Sequence, residues 1–225
     1  MENCSCQVNC RCDKAVNLVE FQRSHPSETG KFVRRNDKET LTAADWEMAA
    51  LQLMAEKGIQ ALAIEPLARR MGVTKGSFYW HFPGREALLE QALSLWESHD
   101  RRNLNKSLGE IHDPSERLVT FFRRVGKETF THEVYSELLA AAGHPQVEPV
   151  LERVAERRMK HIAVAFEELG MPPDEAQYRA RLTYSVYLGF LQLQRQHQTP
   201  SLSSEAFEAY LDHVIETLIP APEAN

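Results

Sequence analysis

Leu67-Ala68-Arg69-Arg70-Met71-Gly72-Val73-Thr74-Lys75-Gly76-Ser77-Phe78-Tyr79-Trp80-His81-Phe82-Pro83-Gly84-Arg85-Glu86-Ala87-Leu88-Leu89 reads as the end of one helix, a turn, a helix of barely two turns and the start of another. Gly72 breaks the first of these, which begins near residue 64 and carries Pro66 in its first turn, where a missing N–H costs nothing. Thr74 has the side chain of an N-cap, and Pro83 forces the short helix to end before it. Helix, glycine-containing turn, short helix is the layout of a helix-turn-helix. Upstream, Trp46, Ala49, Ala50, Leu53 and Met54 repeat at i, i+3, i+4, i+7 and i+8, so one stripe of a preceding helix faces a core. Thr42 is its expected N-cap and Gly58 its stop.

Outward from this block, the pattern is helical almost throughout. A long helix begins near Arg85, and further helices are expected near 114–130, 133–142, 146–169, 174–197 and 203–219, separated by Pro- and Gly-containing breaks. No segment alternates apolar and polar residues as a half-buried strand would. The fold class expected is all-α, with an N-terminal three-helix helix-turn-helix domain at 41–90 joined to a larger helical domain at 91–225. Residues 1–40 show no sustained period and read as a flexible arm.

Composition narrows the function. The 225 residues carry a net charge of −6 and 43% hydrophobic residues, enough for a core and unlike a protein that coats nucleic acid indiscriminately. The charge is uneven: residues 1–90 hold twelve basic and twelve acidic groups, whereas 91–225 hold fourteen and twenty. Between 66 and 85 stand Arg69, Arg70, Lys75 and Arg85 with no acid, a local field suited to a phosphate backbone. No run of 18 apolar residues is present and the start has no apolar signal stretch, so a cytoplasmic protein with no membrane association is expected. No cofactor is called for. An enzyme is not expected either: no Ser/His/Asp set, His/Glu/His set or Gly-rich phosphate loop occurs at informative spacing.

The short helix and its flanks supply the chemistry. Such a helix can lie in the major groove with its first residues at base edges, where Thr74, Lys75 and Ser77 would project and Lys75 could donate to guanine O6 or N7. Gly76 would keep bulk out of the contact. Tyr79 and His81 can donate to phosphate oxygens, and Arg85 adds charge to a helix N-terminus that already attracts anions. Thr42, at the head of the first helix, completes the DNA-facing set, while Phe78 and Phe82 read as core. Arg34, Arg35 and Lys38 in the arm either reach an adjacent groove or form a solvated charge run.

The stretch from Leu67 to Leu89 resembles the DNA-binding domain of the tetracycline-repressor (TetR) family, whose pattern Ile/Leu-Ala-x-x-x-Gly-Val-Ser/Thr-x-Gly-x-Phe/Leu-Tyr-x-His/Tyr-Phe-x-x-Lys/Arg-Glu-x-Leu it follows at nearly every defined position. Two departures are Ala63, where a Thr usually caps the second helix, and Met71, where a small residue usually packs. The resemblance covers residues 41–89. It implies a homodimeric regulator of transcription that binds double-stranded operator DNA, acting as a repressor released by a small-molecule effector. It also implies that Tyr79 and Arg85 clamp phosphates and that Lys75, Ser77 and Trp80 contact bases or the groove.

Two further expectations concern the larger domain. Leu188 and Leu191 on one helix, with Phe207, Tyr210, Leu211, Val214, Ile215 and Leu218 on the last, form apolar faces wider than one neighbour covers, and they are expected to meet a second subunit. Trp96, Phe121, Phe122, Tyr135, Met159, Phe166, Tyr184 and Tyr187 could line an effector pocket or be plain core. Separately, Cys4, Cys6, Cys10 and Cys12 could bind a soft metal or act as a redox switch, which would make the chain a metal- or redox-sensing DNA-binding regulator. The alternative is a disordered tail of reduced thiols, because C-x-C spacing is tighter than structural zinc sites use.

Overall fold

The computed structural model describes residues 41–220 except 202 and 203. The four cysteines and the arm residues Arg34, Arg35 and Lys38 lie outside the described residues. Within them the chain forms α-helices and no strand: α1 (Ala43–Lys57), α2 (Ile64–Arg70), α3 (Lys75–Tyr79), α4 (Arg85–Gly109), α5 (Pro114–Lys127), α6 (Thr129–Ala140), α7 (Glu148–Glu168), α8 (Pro173–Arg195) and α9 (Glu205–Leu218), with one 3-10 turn at Ile59–Ala61. No helix of the described residues is long and apolar enough to cross a membrane.

α1 starts in a capping box. The Thr42 backbone N–H and hydroxyl both donate to Asp45 Oδ2 at 2.7 Å, and the Asp45 N–H donates back to Thr42 Oγ1 at 3.4 Å. The predicted stripe Trp46, Ala49, Ala50, Leu53 and Met54 is fully interior, and Met48 and Leu51 are buried as well. α1 is covered on more than one side because it packs against both α4 and α6. Gly58 stops it at φ +76, and a Cβ there would approach Glu137 Oε2 to 3.1 Å, so this turn needs glycine both for its backbone and for its neighbour. α2 begins at Ala63 with no side-chain cap, and Arg70 at its other end grips Glu56 of α1 through both Nη atoms at 2.5 and 2.6 Å. Met71 is buried.

α4 runs 25 residues, roughly 37 Å at 1.5 Å per residue, and it crosses residue 90 unbroken, so the expected domain boundary falls inside a helix. The break between α5 and α6 also differs from expectation. It lies at Glu128 alone, with φ −111 and ψ 47, two residues after Gly126, which the expected helix ran through. Glu128 bridges back to Arg124 at 2.8 and 3.0 Å.

The larger helical part has a polar centre. Asp100 of α4 accepts from Arg158 of α7 at 2.6 Å and from Arg157 at 3.3 Å. Arg158 Nη1 donates to the Tyr187 hydroxyl of α8 at 3.0 Å, and that hydroxyl lies 2.6 Å from His132 Nδ1 of α6. The guanidinium sits 4.5 Å from the Tyr135 ring centre and 5.3 Å from that of Tyr187. Trp96 stacks on the far face of this group, 5.6 Å from Tyr135, and its Nε1 donates to the Thr131 carbonyl. Tyr135 and Tyr184 share a hydroxyl contact. Burial pushes the Asp100 carboxyl up, but Arg158, Arg124 and Arg157 together hold it below its ordinary value. Burial, reinforced by Arg158 and Arg124, pushes His132 down to about 3, and burial pushes His99 of α4 down to about 4.

These two histidines contribute to the acid side of the stability profile, in the same direction as His161 of α7, which burial also holds below its ordinary value. Both folded values lie below the unfolded value of about 6.5, so the unfolded chain takes up protons that the folded chain refuses, and stability is lost as pH falls from about 6.5 toward 4. Urea unfolding midpoints at pH 7.5, 6.5, 5.5 and 4.5 should be level over the first pair and then drop. His132→Gln should lose part of that drop; an unchanged acid slope in this variant would assign the protons elsewhere.

Candidate functional site

α2 and α3 are held together by the turn through Gly72, at φ +68, and by Phe78, the one fully buried side chain of α3. Phe78 meets Trp46 edge-on at 5.3 Å and stacks on Phe82 at 5.6 Å, so both phenylalanines are core as the sequence indicates. One buried anchor on a five-residue helix leaves its other side chains free. Thr74 and Lys75 are exposed and Ser77 is partly so; Tyr79 is 52% and Trp80 89% exposed. Trp80 is the largest apolar group offered to solvent, immediately after α3. His81 is partly buried. Thr74 stands at the N-cap of α3, but its side chain makes no capping bond, so the hydroxyl remains open to a partner. Gly76 has no crowding to relieve within the chain, since a Cβ there would lie 3.6 Å from Thr74 Oγ1.

Two sequence expectations need correction. Arg85 points inward: its Nε donates to the Leu62 carbonyl at 2.6 Å and its Nη2 to the Ile59 carbonyl at 3.3 Å, so it ties the start of α4 to the turn before α2. The Ile59 carbonyl also accepts the Leu62 N–H that closes the 3-10 turn, so the guanidinium adds a second bond there and caps the Leu62 carbonyl that follows. Thr42 likewise spends its hydroxyl on the capping box.

The basic patch is correspondingly thinner than composition suggested. Arg70 is paired with Glu56 and Arg85 faces carbonyls. Lys75 Nζ lies 2.9 Å from Glu65, which raises the lysine and lowers the glutamate from their ordinary pKa values through that hydrogen bond. Glu65 is the site residue that sequence reading missed. It sits ten residues before Lys75 on a different helix, and only the turn angle brings the two together.

The larger domain divides the residues expected to line a pocket. Trp96, Tyr135, Tyr184 and Tyr187 come together around Arg158, with Phe121 edge-on to Tyr187 at 6.4 Å and to Phe122 at 6.1 Å. They are packed interior, as is Phe166, while Met159 is only partly buried. A pocket of about 240 Å³ opens next to this cluster and shares only Phe121 with the expected set. It lies between the last turn of α4, the first two turns of α5 and the C-terminal half of α7.

On the last two helices, Leu191, Phe207, Leu211, Val214 and Leu218 are buried within the single chain. Phe207, for example, lies against Phe190 at 5.6 Å. They are core rather than an outward face, because α9 lays its stripe on α5 and α8. Leu188, Tyr210 and Ile215 are partly exposed. The open apolar positions are on the outer side of α8, where Tyr178 is 68%, Leu182 51% and Leu193 40% exposed. Ser185 and Gly189 share that side by helical spacing.

A family model described as bacterial regulatory proteins, tetR family, matches residues 48–92, the segment from α1 into α4. The chain spans only 19 to 34% of the length of the first relatives it matches. Among them the regulator SrpR of Pseudomonas putida is 37% identical over 46 residues, 20% of this chain and 22% of SrpR. The regulator LmrA of Bacillus subtilis is 25% identical over 164 residues, 68% of this chain and 87% of LmrA. Of solved structures, Escherichia coli NemR in its reduced form shares the fold, with a TM-score of 0.62 at 18% identity over 81% of this chain and 99% of NemR. Residues 48–92 thus form a domain of the tetR family of bacterial regulatory proteins, and the helical fold that continues from it is similar to that of solved transcriptional regulators.

Proposed function

We propose that the chain is a cytoplasmic, homodimeric transcriptional regulator that binds operator DNA through α3 and is released by a small-molecule effector, without enzymatic activity. One observation carries the reading. α3 keeps a single side chain, Phe78, for the core and leaves Lys75, Ser77 and Tyr79, with the flanking Thr74 and Trp80, exposed or partly exposed. Hydroxyls, an ammonium and two aromatic rings clustered on so short an element suit base edges, phosphates and the thymine methyl in a major groove. Nothing in the interior needs Trp80 exposed, so its cost is borne for a partner.

The link to an effector rests on α4. Its first residue holds the carbonyls of Ile59 and Leu62, and its last turn lines the pocket. α7 follows the same course: Gln146, just before it, donates to the Glu86 carbonyl at 3.0 Å, and its C-terminal half lines the pocket. A ligand that binds one separation of these helices better than the other shifts the tilt of the recognition helix by as much as that preference allows.

The dimer is assigned to the outer side of α8, Tyr178, Leu182, Ser185, Gly189 and Leu193, bordered by Leu188, Tyr210 and Ile215. Small residues between exposed apolar ones let two helices approach closely, and a two-fold axis would bring this face against its own copy. The side chains earlier read as interface, among them Val214 and Leu211, then act as the support behind it.

Three outcomes test these assignments. First, in gel-shift titrations against fragments selected from a genomic library by the purified protein, Lys75→Ala and Trp80→Ala should each weaken binding about tenfold or more with an unchanged melting temperature. Arg85→Ala should instead lower the melting temperature. A stable Arg85→Ala protein with lost DNA binding would return that residue to the DNA face. Second, Lys75 must leave Glu65 to reach a base, so Glu65→Gln should raise affinity for random duplex and have no effect in a Lys75→Ala background. An equal gain in both backgrounds would reduce Glu65 to a distant repulsion. Third, Leu182→Asp should give a helical monomer by light scattering that no longer shifts the operator fragment. A Leu182→Asp dimer of normal affinity would move the interface elsewhere.

A further inference from the structure

We propose that the pocket between α4, α5 and α7 binds a small apolar carboxylate, with the Arg117 guanidinium of α5 receiving its head group; this rests on the regulator reading above and names the class of its effector. At roughly 30 Å³ per water-sized group, about 240 Å³ holds some eight non-hydrogen atoms. The walls are Leu108, Leu118, Phe121 and Ile162, which favour a hydrocarbon or aryl body over a sugar or nucleotide. Such a body alone would be recognised by shape only, and the pocket has more to offer.

Arg117 lies against Glu168, the last residue of α7, yet its Nε is buried with no hydrogen-bond acceptor. A planar guanidinium presents paired donors that match a carboxylate. The Glu168 side chain is 46% exposed, so it can turn into water when another carboxylate takes its place. The exchange keeps Arg117 neutralised, satisfies the empty donor and encloses the apolar body.

The charges around the pocket point the same way. His161, on its wall, is held below its ordinary pKa first by burial and then by Arg157, Lys160, Arg117 and Arg124. Arg157, Arg117 and Arg124 are each paired with a carboxylate, so the positive charge open to a ligand at this wall is that of Arg117 once Glu168 swings away, and it favours an anion over a cation. Phe121 also separates the pocket from Tyr187 and hence from the Asp100–Arg158 centre. A body that displaces Phe121 therefore presses on the group that joins α4 to α7.

Isothermal titration of the full-length protein, free of DNA, with hexanoate, hexan-1-ol and hexylammonium isolates the head group, since all three carry the same six-carbon body. Hexanoate should bind at least tenfold more tightly than hexanol, and hexylammonium more weakly than hexanol. Arg117→Gln should bring hexanoate down to the level of hexanol while hexanol binding is retained, which shows that the pocket is still formed. Hexanol binding as tightly as hexanoate to the wild type overturns the proposal. So does an advantage of hexanoate that survives Arg117→Gln, or no heat with any of the three. The DNA arm is separate: labelled operator fragment bound by the wild type should be released by hexanoate and not by hexanol. Hexanoate that binds without release removes the effector role. A protein that binds no duplex at all defeats the regulator reading instead and leaves the titration result intact.

Discussion

The buried pair Asp100–Arg158 is the constraint around which the larger domain is arranged. Both side chains are almost wholly out of water, at 1 and 3% exposure, and an ion pair there must recover a large desolvation cost from geometry and extra bonds. It does so from four helices at once. α4 contributes Asp100 and the Trp96 plane, α7 the arginine, α6 His132 and Tyr135, and α8 Tyr184 and the Tyr187 hydroxyl. Apolar side chains tolerate small slides because any close neighbour serves as well as another. A guanidinium bonded at 2.6 Å to a carboxylate and 3.0 Å to a phenol does not. The pair sets the register of α4 against α7, and the tyrosine planes keep α6 and α8 in step with it.

α4 carries that register into the DNA-facing part. Arg85, Leu88 and Leu89 at its head belong to the core of the small three-helix unit, Trp96 and Asp100 belong to the centre of the large one, and Leu108 and Gly109 belong to the pocket wall. One continuous helix of 25 residues cannot answer a displacement at one end by bending freely at the middle, where Asp100 is fixed. It must tilt about that point. The inward turn of Arg85 is what makes such a tilt reach α2 and α3, because it couples the helix to the backbone carbonyls of the turn that precedes them.

Much of this was legible in the sequence, and the parts that were not share a cause. The helix-turn-helix was readable because its signals are local: Gly72, Thr74 and Pro83 punctuate it, and Phe78 and Phe82 fall at core spacing. The starts of α1, α4, α5 and α8 were marked by a capping threonine or by proline and glycine. The break at Glu128 had only Gly126, inside the last turn of α5, to announce it; it is held by the Arg124 side chain four residues back, and it was misplaced by a few residues. Side-chain direction was harder still. Arg85 was given to the phosphates because basic residues at helix N-termini often go there, whereas backbone carbonyls 23 and 26 residues upstream hold it. The stripe on α9 was given to a partner subunit because it looked too wide for one neighbour, but α9 has both α5 and α8 to cover it. The Glu65–Lys75 pair and the Arg158 centre depend on which elements cross, and periodicity within one helix does not encode that.

The recognition helix shows how little structure a reading surface needs. α3 has five residues, far too few to be helical on its own, and its own cap is not formed. Its conformation is imposed from outside: Phe78 is locked between Trp46 and Phe82, and the turn before it is set by Gly72. A helix held by one side chain can give up every other position to solvent, including a tryptophan that would be worth far more buried. The same economy leaves Lys75 with a partner, Glu65, that is itself exposed at the head of α2. That pair is weak because water competes for both ends, and weakness suits a group that must change partners. Arg70, Arg85 and Arg158, each partly or wholly buried, tie one element to another, whereas the exposed Lys75–Glu65 pair stands where DNA would compete for it.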